Sequence, residues 1–254
     1  MNDNILEIRK LSAGYRASAS PLSGGGEAKT VLKDIDLDIR RDEFFGLLGE
    51  SGCGKTTLAK AVLGLLPYSG SIRLDGKEYG RKRTEEYYAS VQAVFQDPLS
   101  ALDPRRTVGF TVEEPLVVHR RFTQKERLIK VDEMLEKVGL DPSYKNRLPA
   151  ELSGGQRQRV CIAAALMLEP KLLVADEAIS SLDVSVGAQI LKLFQELHEQ
   201  MEFALLFISH NLDVVYYLCS RAAVMKQGRI VETGSVEDLY ARPQDEYTRH
   251  LLGC

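Results

Sequence analysis

The chain has 254 residues, of which 44% are hydrophobic, and a formal net charge of −3. This length allows one sizeable core, or one core with a smaller satellite, and the near-neutral charge argues against a nucleic-acid partner. No apolar run approaches the ~20 residues that span a bilayer, and the first residues lack the layout of a signal peptide. The cysteines are far apart and are expected to be free thiols in a reducing cytosol: Cys53, Cys161, Cys219 and Cys254. These features predict a soluble, cytoplasmic chain that depends on another polypeptide for any passage across a membrane.

The first part of the chain predicts three strands and a helix. Ile5–Leu11 is strand-like, and Val31–Ile39 alternates apolar with polar residues as a half-buried strand does. Between them, the Gly/Ser-rich segment Ser18–Ala28 predicts a flexible loop. Phe44–Leu48 is a short apolar run that leads into glycines, which is typical of a buried parallel strand. Lys55–Leu66 then predicts a helix that stops before a proline.

The rest of the chain alternates helices with strands, except for one strand-free stretch from about Asp97 to Ala150. Within that stretch, Gln124–Val138 has helical periodicity. Its apolar stripe would consist of Leu128, Val131, Leu135 and Val138. The other predicted elements are strands at Ser71–Leu74, Val91–Phe95, Lys171–Ala175, Ala204–Ser209, Ala222–Met225 and Arg229–Glu232, and helices at Gly154–Leu168 and Ser185–Met201. This order predicts a parallel α/β sheet with an inserted helical subdomain.

Gly49–Thr56 fits the pattern G-x-x-x-x-G-K-[ST] between a predicted strand and a predicted helix. Glycines let backbone N–H groups converge on phosphate oxygens, and the following helix adds the positive end of its dipole. Lys55 would neutralise β- and γ-phosphate charge, and the Thr56 hydroxyl can bind Mg²⁺. The alternative is a chance match in a glycine-rich turn, but the flanking strand and helix supply the context that a phosphate loop requires. The segment therefore predicts a site for a nucleoside triphosphate and Mg²⁺.

Leu172–Glu177 is an apolar strand that ends in two acids. Asp176 lies at the strand's C-terminal end, where a second contact to Mg²⁺ is needed, and Glu177 is placed to orient or deprotonate the attacking water. Taken alone, the pattern could equally be a strand that ends in a solvated acidic turn. Together with the phosphate loop it predicts hydrolysis.

Leu152–Gln156 has the sequence Leu-Ser-Gly-Gly-Gln and opens a predicted helix. Ser153 is a good N-cap, and Gly154 and Gly155 expose N–H groups at a positive helix end. A plain Ser-capped helix is the alternative, but glycine costs ~1 kcal/mol relative to alanine inside a helix. One nucleotide does not need two separate phosphate cradles in one monomer. We therefore expect the second cradle to serve a nucleotide that another subunit holds.

Together these motifs resemble the nucleotide-binding subunits of the ABC transporter family, over essentially the full length of the chain. They occur in the family's order, with a glutamine loop at Gln96, Ser180–Asp183 after the acidic strand, and His210 at the end of a strand. The resemblance implies an α/β fold, with a RecA-like P-loop NTPase core, an antiparallel β subdomain and an inserted α-helical subdomain. It also implies that two subunits meet head to tail and enclose ATP between them.

The resemblance sets the expected domain boundaries and the roles of the remaining site residues. We expect a single ABC ATPase domain, in which 1–96 and 157–254 form the core with the β subdomain, and about 97–156 the helical subdomain with the signature. Tyr15 matches the aromatic that stacks on adenine, with a packed loop tyrosine as the alternative. Gln96 matches the residue that touches Mg²⁺ or water and reports to the membrane subunits.

His210 matches the switch histidine that contacts the γ-phosphate, and Asp183 matches a residue that crosses the dimer interface. We expect the other three histidines, His119, His198 and His250, to be solvated. The predicted catalytic residues are Lys55, Glu177 and His210. The predicted nucleotide contacts are Tyr15, Gly49, Glu50, Ser51, Gly52, Cys53, Gly54, Lys55, Thr56, Thr57, Gln96, Ser153, Gly154, Gly155, Gln156 and Asp183. The predicted Mg²⁺ ligands are Thr56, Gln96 and Asp176.

Three residues depart from the family's usual pattern. Ala178 stands where a proline is common, Asn211 where an aspartate is common, and Cys53 where serine is frequent. None of them removes a group that the mechanism needs. Because a helix N-terminus lowers the pKa of a thiol, we expect Cys53 to make the loop sensitive to thiol reagents.

Two further segments resemble the oligopeptide, dipeptide and nickel importer group: Phe95–Pro104 and Pro243–Leu252. The resemblance implies an ATPase that powers import of peptides or of nickel or other metal chelates, from the cytoplasmic face of the membrane. Its partners would be a like or related ATPase subunit, two integral membrane permeases and, indirectly, a solute-binding protein. The alternative is a soluble ABC-type ATPase in DNA repair or translation, although no long coiled coil, zinc module or second cassette is visible.

Overall fold

A computed structural model describes residues 3–16, 28–80 and 83–253, which form two compact units. The first unit consists of residues 1–84 and 204–254, and the second of residues 85–203. The predicted loop Ser18–Ala28 lies outside the described residues, apart from Ala28, which begins a strand. The predicted helical subdomain, 97–156, lies inside the second unit, and its boundaries stay a prediction.

The first unit contains an antiparallel sheet of four strands in the order β2-β1-β4-β5. Its strands are β1 (Asn4–Arg16), β2 (Ala28–Arg40), β4 (Tyr68–Leu74) and β5 (Lys77–Glu78). Along β2, Ile35, Leu37 and Ile39 are at most 3% exposed, so the alternation seen in the sequence places one face of this strand in the core. The predicted strands at Ile5–Leu11, Val31–Ile39 and Ser71–Leu74 are confirmed, and each is longer than predicted.

The same unit holds a group of parallel strands that carries the phosphate loop. The fully buried strand β3 (Phe44–Leu48) pairs in parallel with β8 (Ala204–Ile208) and with β9 (Arg221–Lys226). The strand β10 (Arg229–Ser235) pairs with β9 in antiparallel fashion. The helices of this unit are α1 (Lys55–Val62), α8 (Leu212–Leu218), α9 (Val236–Ala241) and α10 (Glu246–Leu252). The predicted buried parallel strand at Phe44–Leu48 is therefore confirmed with the same bounds.

The second unit is mainly helical. Its helices are α2 (Glu85–Ser90), α3 (Pro98–Ala101), α4 (Val108–Val118), α5 (Gln124–Lys137), α6 (Gly154–Leu166) and α7 (Val184–Met201), with 3₁₀ turns at Pro142–Asn146 and Pro149–Glu151. Two parallel strands, β6 (Val91–Phe95) and β7 (Leu172–Asp176), pair with each other. Residues 97–150 contain no strand, as the sequence indicated. No helix in the described ranges of either unit is long and apolar enough to cross a membrane.

Three sequence-based expectations were wrong in detail. The first helix ends at Val62 rather than Leu66, because Gly64 (φ 73°) reverses the chain and the Leu65 N–H bonds back to the Lys60 carbonyl. On α5, Val131 and Leu135 are fully buried, but Leu128 is 44% exposed and does not belong to the buried stripe.

The third error concerns His198, which was expected to be solvated. Glu202 (φ 51°) ends α7 in a left-handed conformation and turns the chain back. Phe203 therefore lies beside His198, with its carbonyl oxygen 2.9 Å from Nδ1 and the two rings edge to face at 5.7 Å. His198 is a half-buried structural residue.

Candidate nucleotide site

The phosphate loop runs from the end of β3 to the start of α1. Gly49 adopts φ 150°, and a Cβ there would lie 2.3 Å from the Met225 carbonyl oxygen, so neither the backbone nor the space accepts a side chain. Gly54 (φ 119°) is the N-cap of α1 and offers no side-chain cap. Because no side chain caps the first turn, its backbone N–H groups are available to an anion at the positive end of the helix. Glu50, Ser51, Gly52 and Thr56 are exposed, whereas Thr57 is buried.

Lys55 is 5% exposed and folds back over the loop that precedes it. Its Nζ donates to the carbonyl oxygens of Gly49 (2.7 Å) and Glu50 (2.9 Å) and lies 3.9 Å from the Cys53 sulfur. An ammonium group has three donors, and sulfur is a weak acceptor. One donor can therefore turn to a phosphate oxygen while the other two hold the lysine in place.

The first unit also positions Tyr15 and His210. Tyr15 lies near the end of β1 and is 43% exposed, and Lys60 Nζ is 6.0 Å from its ring centroid. His210 is exposed and follows β8, which is aligned with β3 so that Leu47 pairs with Ile208. The phosphate loop and His210 consequently leave neighbouring parallel strands at the same edge.

Asn211 keeps the local structure that the more common aspartate would give. Its side chain caps α8 by accepting a hydrogen bond from the Val214 N–H (3.3 Å), and asparagine and aspartate are about equally good N-caps. The Asn211 N–H in turn donates to the Ser209 hydroxyl (2.9 Å). This departure from the family pattern therefore leaves the turn after His210 intact.

In the second unit, Gln96 and Glu177 follow two paired strands. Phe95 of β6 is in register with Asp176 of β7. Gln96 and Glu177, which follow them, therefore emerge at the same sheet edge. Asp176 is 6% exposed, Glu177 is half-buried and Gln96 is exposed. The Ser181 hydroxyl donates to the Gln96 carbonyl (3.1 Å), which ties the glutamine loop to the turn after the acids.

Glu177 has φ 50°, a left-handed conformation that non-glycine residues adopt rarely. Its carbonyl oxygen accepts hydrogen bonds from the N–H (3.1 Å) and the hydroxyl (3.0 Å) of Ser180, which hold the turn. The next residue, Ala178, is fully buried. Backbone strain of this kind concentrates at functional sites, where the surrounding structure fixes a side chain in one direction.

The signature Leu152–Gln156 forms a reciprocal cap at the start of α6. The Gln156 N–H donates to Ser153 Oγ (3.3 Å), and the Ser153 N–H donates to Gln156 Oε1 (2.9 Å). This capping box confirms the predicted N-cap and adds a use for Gln156 that the sequence did not suggest. It leaves the N–H groups of Gly154 and Gly155 as the candidate donors to a phosphate.

Gly155 also has a packing role that sequence reasoning missed. A Cβ at this position would lie 2.5 Å from Cγ1 of Val186, in the first turn of α7. Asp183 caps that turn by accepting from the Val186 N–H (2.9 Å) and the Ser185 hydroxyl (2.8 Å), and these hydrogen bonds lower the pKa of Asp183. The signature and the segment at Asp183 are therefore packed together in one unit.

The burial of Cys53 argues against the reactivity that the sequence led us to expect. It is 8% exposed, and burial raises the pKa of its thiol, with Lys55 acting in the opposite direction. Burial thus outweighs the helix N-terminus on which the expectation rested.

This raised pKa gives a testable result for thiol labelling. A raised pKa means that the reactive thiolate forms only at a higher pH than for an ordinary cysteine, whose pKa is ~8.5. We expect maleimide to label Cys53 at pH 7 far more slowly in the native chain than in urea, and native labelling to rise as the pH is raised. Mass spectrometry of the peptide containing Cys53 measures both rates. Equal rates in the native and unfolded chain would show that the buried loop geometry is wrong.

Comparisons with known proteins agree with this site. The family model described as ABC transporter matches residues 32–180. A Brucella ovis protein named as a peptide import ATP-binding protein is 44% identical over 254 residues, covering 98% of this chain and 78% of that protein. The glutathione import ATP-binding protein GsiA of Pectobacterium atrosepticum is 42% identical, covering 98% of this chain and 41% of that protein.

Two solved structures share the fold. CbiO1 of Clostridium perfringens, part of the ABC transporter complex CbiONQ, has a TM-score of 0.81 and 31% identity, covering 95% of this chain and 92% of that one. The ATP-binding cassette MJ0796, solved as a dimer in a post-hydrolysis state with ADP and Pi, has a TM-score of 0.77 and 26% identity, covering 91% and 98%. The predicted ABC ATPase fold is thereby confirmed, and the relatives favour a transporter subunit over the DNA-repair alternative. The chain belongs to the ABC transporter family, as one of its ATP-binding and ATP-hydrolysing subunits.

Proposed function

We propose that this chain binds MgATP at Gly49–Thr57 and that its hydrolysis of ATP powers the import of peptides through a membrane transporter. The observation that carries the proposal is the phosphate loop. Lys55 is held over it by two loop carbonyls, and the uncapped first turn of α1 follows directly. The names of the peptide and glutathione import relatives support the direction of transport and the substrate class.

The nucleotide would use residues of the first unit for its base and phosphates. Tyr15 offers an exposed aromatic face to adenine. The loop amides from Gly49 to Thr57 and the Lys55 ammonium would receive the phosphates. His210, which leaves the strand beside the loop, would contact the γ-phosphate.

The donor set fits Mg²⁺, with Thr56, Asp176 and Gln96 as the residues that would hold it. No group of three His, Cys, Asp or Glu side chains in the described parts of the chain could hold a metal ion by itself. Proteins usually bind Mg²⁺ through one or two carboxylates together with substrate phosphates, and Asp176 would supply such a carboxylate. When bound, the ion would neutralise charge on the β- and γ-phosphates.

Hydrolysis would need two copies of the chain, or one copy and a related subunit. Glu177 would orient and deprotonate the attacking water, because the turn that Ser180 holds places this residue just after a strand end. Ser153, Gly154, Gly155 and Gln156 of a second copy would close over the γ-phosphate, and Asp183 would lie at the same interface. Positioning and charge stabilisation would supply most of the catalysis.

The proposed transporter contains further subunits, which set where the ATPase is located. Two integral membrane permeases would anchor the ATPase at the cytoplasmic face of the membrane, and the Gln96 loop with the helical segment after it would transmit closure to them. A solute-binding protein would deliver the substrate, and peptides are favoured over nickel chelates by the relatives' names. The core would comprise 1–96 and 157–254, and the helical subdomain about 97–156.

The proposed function can be tested by reconstituting the ATPase with its permeases in liposomes together with the solute-binding protein. We expect a mixture of short peptides to stimulate ATP hydrolysis and a nickel chelate to have no effect, because the substrate drives the transporter into its ATP-closing state. Stimulation by the nickel chelate alone would overturn the substrate assignment. Stimulation of the isolated chain by DNA or RNA, with none by either solute, would overturn the importer assignment.

A further inference from the structure

One peptide group of the phosphate loop is held from both sides. The Glu50 N–H donates to the hydroxyl of Tyr247 (3.2 Å), 197 residues further along the chain. The carbonyl of the same peptide group, Gly49 O, accepts from Lys55 Nζ (2.7 Å). The N–H and the C=O of a trans peptide point in opposite directions, so fixing one fixes the direction of the other. Tyr247 therefore controls where the Gly49 carbonyl points.

Tyr247 is itself held firmly at the start of α10. It is 6% exposed, and Lys226 Nζ lies 4.6 Å from its ring centroid. The Glu232 carboxylate of β10 accepts from the backbone N–H groups of Gln244 (2.8 Å) and Asp245 (3.0 Å), and Asp245 accepts from the Tyr247 N–H (2.8 Å). The strand β10 thus places the tyrosine hydroxyl against the loop.

We infer that Tyr247 is a positioning residue for Lys55. Two of the three ammonium donors of Lys55 rest on the Gly49 and Glu50 carbonyls, and Tyr247 orients the peptide group that supplies the first of them. With that peptide fixed, the remaining donor, which now lies near the Cys53 sulfur, is left for a phosphate oxygen, and the lysine need not be ordered when nucleotide arrives. Tyr247 acts through Lys55 and touches no substrate. The inference rests on the proposed nucleotide site at Gly49–Thr57.

A purely structural role for Tyr247 makes a different prediction. The buried ring alone could anchor α10, and phenylalanine would keep that packing. Only the hydroxyl reaches the Glu50 N–H. Tyr247→Phe therefore separates the two roles, because it removes the hydrogen bond and retains the ring.

The chain offers a matched control in Tyr240. Its hydroxyl donates to the Leu212 carbonyl (2.5 Å), so Tyr240→Phe removes the same chemical group from a part-buried contact in the same unit. Within the described residues, the Tyr240 hydroxyl bonds to the start of α8 and not to the phosphate loop. Each variant therefore loses one hydrogen bond and keeps its ring, at different places: Tyr247 loses a hydroxyl that accepts from an N–H, and Tyr240 one that donates to a carbonyl.

The test compares binding of a fluorescent ATP analogue (mant-ATP with Mg²⁺) to the wild-type chain and both variants, with melting temperatures measured in parallel. We expect Tyr247→Phe to weaken binding about threefold to tenfold, as the loss of one neutral hydrogen bond predicts, and Tyr240→Phe to leave it unchanged. We also expect the Glu50 amide to exchange with deuterium faster in Tyr247→Phe than in the other two proteins. Wild-type affinity in a folded Tyr247→Phe chain would overturn the inference.

Two further outcomes are informative. If Tyr247→Phe does not fold, exchange in the wild-type chain decides: a Glu50 amide that is no better protected than that of an exposed loop contradicts the hydrogen bond and the inference with it. If the wild-type chain itself does not bind mant-ATP, the proposed nucleotide site fails, and the positioning role falls with it. Failure of the inference alone appears as normal wild-type binding with no difference between the two tyrosine variants.

Discussion

Replacing Glu177 with glutamine should stop ATP turnover while leaving ATP binding intact. The amide keeps the shape of the carboxylate, and the left-handed turn (φ 50°) is held by two hydrogen bonds from Ser180 to the Glu177 main-chain carbonyl, which the substitution does not touch. The amide cannot accept a proton from water, and general base catalysis contributes about 10²–10⁴ in rate. We therefore expect the turnover number to fall by about 10² or more, with the dissociation constant for ATP changed less than about twofold.

Glu202 supplies the control for this experiment. It has nearly the same φ (51°) but ends α7 in an exposed position. Glu202→Gln should hydrolyse ATP at the wild-type rate. Near-normal hydrolysis by Glu177→Gln, measured as phosphate release, would refute the assignment of Glu177 as the base.

Replacing Lys55 with alanine should weaken ATP binding about 10-fold to 100-fold. Hydrogen bonds to a charged group contribute about 1.5–3 kcal/mol, and the lysine donor that now lies near the Cys53 sulfur is the one a phosphate would take. Calorimetric titration with ATP and Mg²⁺ measures the change. We expect the variant to lose affinity for ATP and to remain folded. Burial of the lysine ammonium costs desolvation free energy, and alanine removes this cost.

A solvent-exposed lysine supplies the control for the Lys55→Ala variant. Lys192 is exposed and pairs with Glu196 one helical turn away, so Lys192→Ala should leave ATP affinity unchanged and stability within about 0.5 kcal/mol. Wild-type affinity in Lys55→Ala would place the phosphates elsewhere and remove the basis of the proposed site.

The parts of the fold that could be predicted from sequence are those whose signal is local. Phe44–Leu48 and Val91–Phe95 are strands with the predicted bounds, because a short apolar run between turn residues is typical of a strand paired in parallel. The phosphate loop and the cap at Ser153 could be predicted for the same reason. Each motif combines residues that are close in sequence. The backbone conformation that these residues require specifies the motif, and contacts with distant residues matter less.

Helix α4 was not predicted because local preferences argue against it. Val108–Val118 contains Pro115 inside the helix and several β-branched residues. Thr107 nevertheless caps it, and Val108, Val112 and Leu116 are buried, so tertiary packing stabilises a helix that its propensities disfavour.

The contacts between distant segments of the site were also beyond the sequence. The hydrogen bond from Glu50 to Tyr247 joins residues 197 positions apart, and the close approach of Gly155 to Val186 joins two helices. The burial of Cys53, which argues against the reactivity expected of it, was also beyond the sequence, since a motif specifies the helix N-terminus but not how deeply the thiol is buried. The sequence around Gly155 and Tyr247 therefore did not indicate which distant residue each of them contacts.

The central claim is that one catalytic site combines the phosphate loop of one copy with the signature of another. Lys55→Ala disables the first element. Ser153→Asp disables the second, since aspartate still caps the helix but places a negative charge where phosphate would bind. Each variant alone should be inactive. Mixed in equal amounts, they should recover about a quarter of wild-type ATPase activity, because half of the dimers are mixed and each mixed dimer has one intact site. If the mixture stays as inactive as the separate variants although the two chains are shown to associate, a working site shared between two copies is contradicted.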